Sequence, residues 1–388
     1  MNLHVRKAVA ILSGVMIAFA GCKEKTTDGL VISEKDAKEV AFEDVATNIR
    51  IVPLKSDEPI ATIKNVVSYG NEVLACDVNE KIIYYFVDGK LVAKLNRIGR
   101  GPGEYTAIRR FAYSPSRKVL YVMTPDKIVW YTIPDLKYCG DTPLNQETHC
   151  LSMHDDSHFF ALIFKDYKWE TVLIDIKTGE ITQELQETTI YAKKESYRSM
   201  ASYSESSHYY STLGYNNSVV AVTDGGKAKT LLTYNFGDRN IEEKYTDFEK
   251  YYDPTNMFPM YDFENEQFRY MDENGKKILV TVPSPRINEN GEIFIWYAYY
   301  ITIDGMFYMY RYNPKDKTSQ NLKGFRMKGI RHPITPDVLS DTGYIKVFQA
   351  SNRWIQNEEE PSGLAKSLIQ AVRNQNDDNP VLLFFDIL

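Results

Sequence analysis

Apolar positions along this chain come in short runs that turn dipeptides interrupt. Ile82-Ile83-Tyr84-Tyr85-Phe86-Val87 is followed by Asp88-Gly89 and then by Lys90-Leu91-Val92-Ala93-Lys94-Leu95. Asp-Gly between two apolar-rich runs is a strong local signal for a β-hairpin, because both turn residues tolerate positive φ. The same grammar recurs at Val219–Val222 before Asp224-Gly225, at Asn290-Gly291 before Ile293–Tyr297, and at Asp304-Gly305 before Met306–Tyr310. Lys177-Thr178-Gly179-Glu180 plays the same part after Thr171–Ile176. Helical periodicity is confined to two stretches, Glu242–Tyr252 and Ser362–Asn374. In the second, Ser362 can cap the start while Leu364, Leu368, Ala371 and Val372 share a face.

A β-rich stretch of roughly 340 residues without a Pro-, Gly- or Ser-rich linker is too long for one sandwich, whereas radial repetition of four-stranded sheets accommodates it. Hairpins grouped at about 50–60 residues give roughly six repeats. The pattern therefore predicts an all-β, six-bladed β-propeller of four-stranded antiparallel blades over residues 46–388. It also predicts a helical or loop insertion near 238–276 and a short C-terminal helix near 362–374. Val381–Phe385 is apolar on both alternating faces, as in a strand buried on both sides. It is predicted to close the ring together with a strand near Ile49–Leu54. Aromatic content changes the picture in the same direction. The 28 Tyr, 18 Phe and 4 Trp make 13% of the 388 residues, and such rings favour pleated surfaces.

The first residues read as an address. Arg6 and Lys7 precede an uncharged run from Ala8 to Ala20, too short for a membrane-spanning helix and of the right depth for a secretory signal over 1–21. Phe19-Ala20-Gly21-Cys22 resembles a bacterial lipobox, which makes Cys22 the expected site of lipidation and the mature N-terminus. Residues 22–45 are then expected to act as a flexible tether. The address is the cell envelope, with a lipid anchor in the outer membrane. Removing residues 1–21 leaves 44 basic and 52 acidic residues, a charge of −8. That balance argues against nucleic acid as a partner. Cys76, Cys139 and Cys150 remain and read first as small buried apolar residues, with a Cys139–Cys150 bridge across a loop as the alternative; no Cys-x-x-Cys suggests redox or zinc chemistry.

One segment stands apart: Arg97-Ile98-Gly99-Arg100-Gly101-Pro102-Gly103-Glu104-Tyr105. It resembles the Gly-rich segment at the first inter-blade junction of a family of six-bladed β-propeller lipoproteins from Bacteroides-type bacteria, distantly similar to NHL-repeat propellers. Ile51-Val52-Pro53-Leu54 resembles that family's opening strand, and Asp377–Phe385 its closing strand. The resemblance implies the propeller and the envelope address; it implies no catalytic residue. On the residues alone, the glycines permit close backbone approach, Pro102 stiffens the crossing, and Glu104 can accept loop N–H groups. Glu104 occupies the third glycine position of Gly-x-Gly-x-x-Gly, so this is not a phosphate loop. Arg97, Arg100, Glu104 and Tyr105 are candidate ligand contacts.

A second candidate surface lies in the insertion. Nine aromatics between Tyr245 and Tyr270 alternate with acids, and Tyr251, Tyr252 and Tyr261 are candidate stacking residues for a glycan or peptide. His149, His154 and His158 cluster with Asp155 and Asp156, but 154–158 reads as a hairpin tip where polar side chains are solvated rather than as a metal site. No cofactor is expected, and no nucleophile elbow is present. The leading expectation is a membrane-anchored scaffold that binds a glycan, peptide or envelope protein. The alternative is a lactonase- or lyase-like enzyme, with a divalent metal over the central channel. Clustered carboxylates or histidines at the axis would favour the enzyme; an Arg-lined or aromatic-lined face would favour binding.

Overall fold

The computed structural model describes residues 30–60, 62–77, 79–165, 168–188, 209–212, 217–222, 227–237, 285–298, 306–349, 359–375 and 379–388. The chain begins with β1 (Leu30–Val31), β2 (Lys38–Ala41) and β3 (Ala46–Pro53), three strands that belong to the last three blades. Blade 1 follows as β4 (Ile63–Tyr69), β5 (Glu72–Asp77), β6 (Ile82–Val87) and β7 (Lys90–Leu95). Blade 2 is β8 (Arg110–Ser114), β9 (Val119–Met123), β10 (Lys127–Thr132) and β11 (Tyr138–Pro143). Blade 3 is β12 (Thr148–Met153), β13 (His158–Lys165), β14 (Lys168–Asp175) and β15 (Ile181–Thr188). Each of these is an antiparallel meander from the axis to the rim.

Blade 4 contains β16 (Tyr209–Thr212), β17 (Asn217–Val222) and β18 (Ala228–Asn235), with β1 added in parallel to β18. Blade 5 contains β19 (Arg286–Ile287), β20 (Ile293–Ala298), β21 (Phe307–Asn313) and β22 (Thr318–Arg326), with β2 added in parallel to β22. Blade 6 is β23 (Val338–Leu339), β24 (Tyr344–Phe348), β25 (Val381–Ile387) and, antiparallel to β25, β3. The fold is the six-bladed β-propeller that the hydrophobic pattern predicts.

Apolar layers between neighbouring blades hold the ring. Tyr85 and Leu95 of blade 1 share a layer with Phe111 and Val122 of blade 2. Tyr121 of blade 2 meets Phe159 of blade 3 edge to face, with ring centroids 5.0 Å apart. Tyr234 of blade 4 packs with Ile295 and Tyr297 of blade 5. At the seam, Val73 and Phe86 of blade 1 join Ile345, Leu382 and Phe384 of blade 6. The predicted closure by Val381–Ile387 and the early strand is observed, with Leu383 opposite Ile51.

The C-terminal helix is α2 (Gly363–Arg373), preceded in the chain by the single turn α1 (Phe42–Val45). Ser362 caps α2 by accepting the Ala365 N–H at 3.2 Å, and its hydroxyl donates to Glu43 at 2.6 Å. Ala365, Leu368, Ile369 and Val372 are buried against blades 5 and 6.

Two expectations change. Residues 30–45, assigned to a flexible tether, form a strap whose β1 and β2 pair with the outer strands β18 and β22. Edge strands carry unpaired N–H and C=O groups, and the strap satisfies part of them. Its own Ile32 and Phe42 are fully buried. Of the cysteines, Cys76 is buried but Cys139 is exposed, because it lies on β11, the outer strand of blade 2. The candidate helix Glu242–Tyr252, the insertion 238–276 and the leader 1–21 lie outside the described residues.

Candidate functional site

Strand register decides which loops share a face. Ile63 of β4 stands opposite Asp77 of β5, Asp77 opposite Ile82 of β6, and Leu95 ends β7 beside Ile83. The Gly-rich junction thus leaves the rim of blade 1 and reaches the axis of blade 2 on the face where the innermost strands begin.

On that face the axial ends of the blades are stitched by side chains. Gln349, just beyond β24 of blade 6, donates from its amide nitrogen to the Ile63 carbonyl at 2.5 Å and accepts the Ile63 N–H at 3.2 Å. Arg110 Nη1 donates to Asn65 Oδ1 of blade 1 at 2.9 Å. Arg109 Nη1 donates to the Thr148 carbonyl of blade 3 at 3.1 Å. Successive side chains of an extended segment point to opposite sides, so this Arg-Arg pair reaches both neighbouring blades. Two β-bulges lie at the same level. The β4–β5 register shifts between Ile63 and Asn65, which makes Lys64 the extra residue; the β12–β13 register shifts between Thr148 and Cys150, which does the same for His149. A bulge on an innermost strand re-aims the local backbone. Lys64 is exposed.

The Gly-rich junction is built largely from its own groups. Gly99 N–H donates to the Tyr105 carbonyl, and Tyr105 N–H to the Arg97 carbonyl, both at 3.0 Å. Glu104 Oε2 accepts the Gly101 N–H at 2.8 Å, as the sequence suggested a loop carboxylate could. A Cβ at Gly99 would lie 2.0 Å from that oxygen, so only glycine leaves room for the carboxylate. Gly103 takes φ +68° against the ring of Tyr138. Tyr105 is 1% exposed and its hydroxyl lies 2.9 Å from the Lys81 carbonyl. Burial pushes its pKa up to about 12.

Arg97 and Arg100 are exposed and Glu104 is half-buried. Arg97, Glu104, Lys94, Asn96, Ile98 and Asp135 line an open cleft of about 610 Å³ between blades 1 and 2. The structure therefore brings Arg97 and Glu104 to one cleft and turns Tyr105 inward as a support. Tyr251, Tyr252, Tyr261 and Cys22 lie outside the described residues.

The histidine cluster is divided by the length of a strand. His149 sits at the axial mouth, while His154 and His158 flank the hairpin at the other end of β12, about 15 Å along. At that hairpin the Asp155 carboxylate accepts the N–H groups of Ser157 and His158, and lies 3.1 Å from His158 Nδ1. Asp156 accepts the Ser116 hydroxyl of blade 2 at 2.7 Å. Among the described residues, no three His, Cys, Asp or Glu side chains group as metal ligands. Lys64, Arg109 and Arg110 escaped the sequence reading. The Arg-Arg pair just before the strand at Phe111 was the available signal, whereas nothing local marks Lys64 as a bulge.

Comparison with solved structures supports the fold. An inferred exported protein of Bacteroides fragilis is 16% identical with TM-score 0.59, covering 92% of this chain and 99% of its own. A member of the duf4221 family from Bacteroides vulgatus is 10% identical with TM-score 0.50, covering 89% of this chain and 98% of its own. No curated protein sequence matches. The match of a family model to residues 30–386, essentially the whole propeller with its strap, places the chain in the family described as Domain of unknown function (DUF4934).

Proposed function

We propose that this protein is a binding scaffold of the cell envelope, tethered through lipid on Cys22, that holds a ligand or partner on the propeller face bearing the Gly-rich junction. The observation that carries this reading is the rim at the axis. Gln349, Arg110 and Arg109 cross-link four consecutive blades there. A polar rim held in place before binding loses little conformational freedom when a ligand arrives, which is how a rigid propeller gains affinity without moving parts. Among the described residues this rim carries Arg109 and Arg110 rather than clustered carboxylates, which favours binding over catalysis. The cleft beside Arg97 and Glu104 lies between blades 1 and 2 and reaches Asp135 of the β10–β11 turn.

The envelope address rests on the leader and on Cys22, in agreement with the inferred export of the Bacteroides fragilis neighbour. Residues 23–29 leave a short span between Cys22 and β1, so lipidation would hold the rim of blade 4 near the membrane. Thermal-shift screening of residues 22–388 against glycans and peptides, with metal analysis of the same sample, tests the binding reading. Stabilisation by a glycan or peptide in metal-free protein supports it; a stoichiometric metal with turnover of a lactone overturns it. Replacing Cys22 by Ser should move the protein to the soluble fraction, and unchanged membrane partitioning would remove the anchor.

A further inference from the structure

Two consecutive blades bring basic residues to one level of the axis, Lys64 in blade 1 and Arg109 and Arg110 in blade 2. Cations at two other blade contacts meet carboxylates, Arg286 with Asp386 and Lys118 with Glu72 at 2.7 Å, whereas Arg117 donates to the Asp156 carbonyl. Arg109 likewise donates to a backbone carbonyl, and Arg110 donates to the Asn65 amide oxygen. Among the described residues, neither Arg109 nor Lys64 has a carboxylate within 4.0 Å. Asp77, opposite Ile63 on the same rim, has its carboxylate turned to the N–H groups of Thr62, Asn79 and Glu80.

We propose that this mouth binds an oxyanion group of a ligand, a carboxylate, phosphate or sulfate, through Arg109 and Lys64. The inference deepens the binding-scaffold reading and rests on it. A guanidinium carries five donors, and the Thr148 carbonyl takes one of those of Arg109, which fixes the plane of the group while leaving others for a ligand. A half-buried cation without a counter-charge is costly, and an incoming oxyanion offsets that cost with charge-assisted bonds. Lys64, placed by its bulge on the innermost strand, adds an exposed second cation. The mature chain carries −8, so a cationic mouth also selects where an anionic ligand can approach.

The test is calorimetric titration of residues 22–388 carrying Cys22→Ser with inorganic phosphate, sulfate and an oligogalacturonate, all at one ionic strength. A neutral oligosaccharide and a neutral peptide serve as comparison ligands. At least one oxyanion should bind saturably and more weakly at higher salt. Lys64→Gln combined with Arg109→Gln should weaken it at least tenfold, while Lys315→Gln on the turn after β21 should leave it unchanged. If the double variant does not fold, Lys64→Gln alone should weaken binding at least threefold. Absence of saturable binding by all three oxyanions, or equal weakening by Lys315→Gln, overturns the proposal. Binding of the neutral oligosaccharide or peptide alone would overturn it while leaving the scaffold reading intact, and absence of any binding would count against both.

Discussion

Lys118 of blade 2 donates to the Glu72 carboxylate of blade 1 across 2.7 Å, and the same carboxylate accepts the hydroxyls of Tyr113 at 3.0 Å and of Tyr85. Glu72 begins β5 and Lys118 sits in the β8–β9 turn, so this clasp lies on the face opposite the axial mouth. Burial by itself raises the Glu72 pKa, and the bonds from Lys118, Tyr85 and Tyr113 more than reverse it, leaving it below its ordinary value of 4.5. A depressed folded pKa contributes stability above the unfolded pKa, and that contribution is lost as pH falls through the folded value. Glu72→Gln should therefore cost about 1–2 kcal/mol at pH 7. The gap from wild type should narrow below about pH 4.5. Urea denaturation at pH 7 and at pH 4 measures both, and a pH-independent gap would contradict this account of the clasp.

Glycine at 99 leaves the Glu104 carboxylate its place under the Gly-rich junction. Gly99→Ala should displace the carboxylate from the Gly101 N–H and cost about 1–3 kcal/mol. Glu104→Ala removes the obstructed group, so adding Gly99→Ala to it should cost little more. A double-mutant cycle would show a coupling of at least about 1 kcal/mol. Additive effects would mean that the junction is shaped by other contacts.

A chain beginning at Ala46 lacks β1, β2 and the fully buried Ile32 and Phe42. Loss of Phe42, which meets Phe385 edge to face at 5.0 Å, is by itself worth about 3–5 kcal/mol. The truncated protein should melt roughly 8 °C or more below the chain beginning at Cys22. It should also scatter light on standing, because the edges of β18 and β22 are uncovered. Equal melting temperatures would return residues 30–45 to the role of a tether.

Two of the thiols should separate by reactivity. Burial pushes Cys76 up to about 12, and it is enclosed between blades 1 and 2, while Cys139 is exposed on β11. A maleimide at pH 7.5 should modify Cys139 in the folded protein and reach Cys76 only after denaturation, because the thiolate is the reactive form. Peptide mapping of the adducts decides, and early modification of Cys76 would mean that the layer between blades 1 and 2 opens readily.

Local chemistry made much of the propeller readable. Asp88 and Gly89 both take positive φ, 52° and 73°, as a two-residue hairpin of this kind requires. Ser362 caps the helix it was expected to cap, because capping depends on residues within one turn. Val381–Phe385 could be placed in the interior because a strand apolar on both faces must be covered on both. The Gly-rich segment could be placed at a junction, and Glu104 as the acceptor of its N–H groups, since donor and acceptor lie three residues apart.

What depended on distant partners was not readable. Leu30–Val31 and Lys38–Ala41 carry no strong alternation, and they become strands because β18 and β22 offer unpaired backbone groups, which leave no mark in a side-chain pattern. Lys64 looks like any surface lysine until register shows it as the extra residue of a bulge. His149 looks like a partner of His154 until β12 sets them at opposite ends of a strand. Arg109 and Arg110 gain their meaning only when closure brings Thr148 and Asn65 beside them, for the position of a charge relative to an axis is a property of the closed ring.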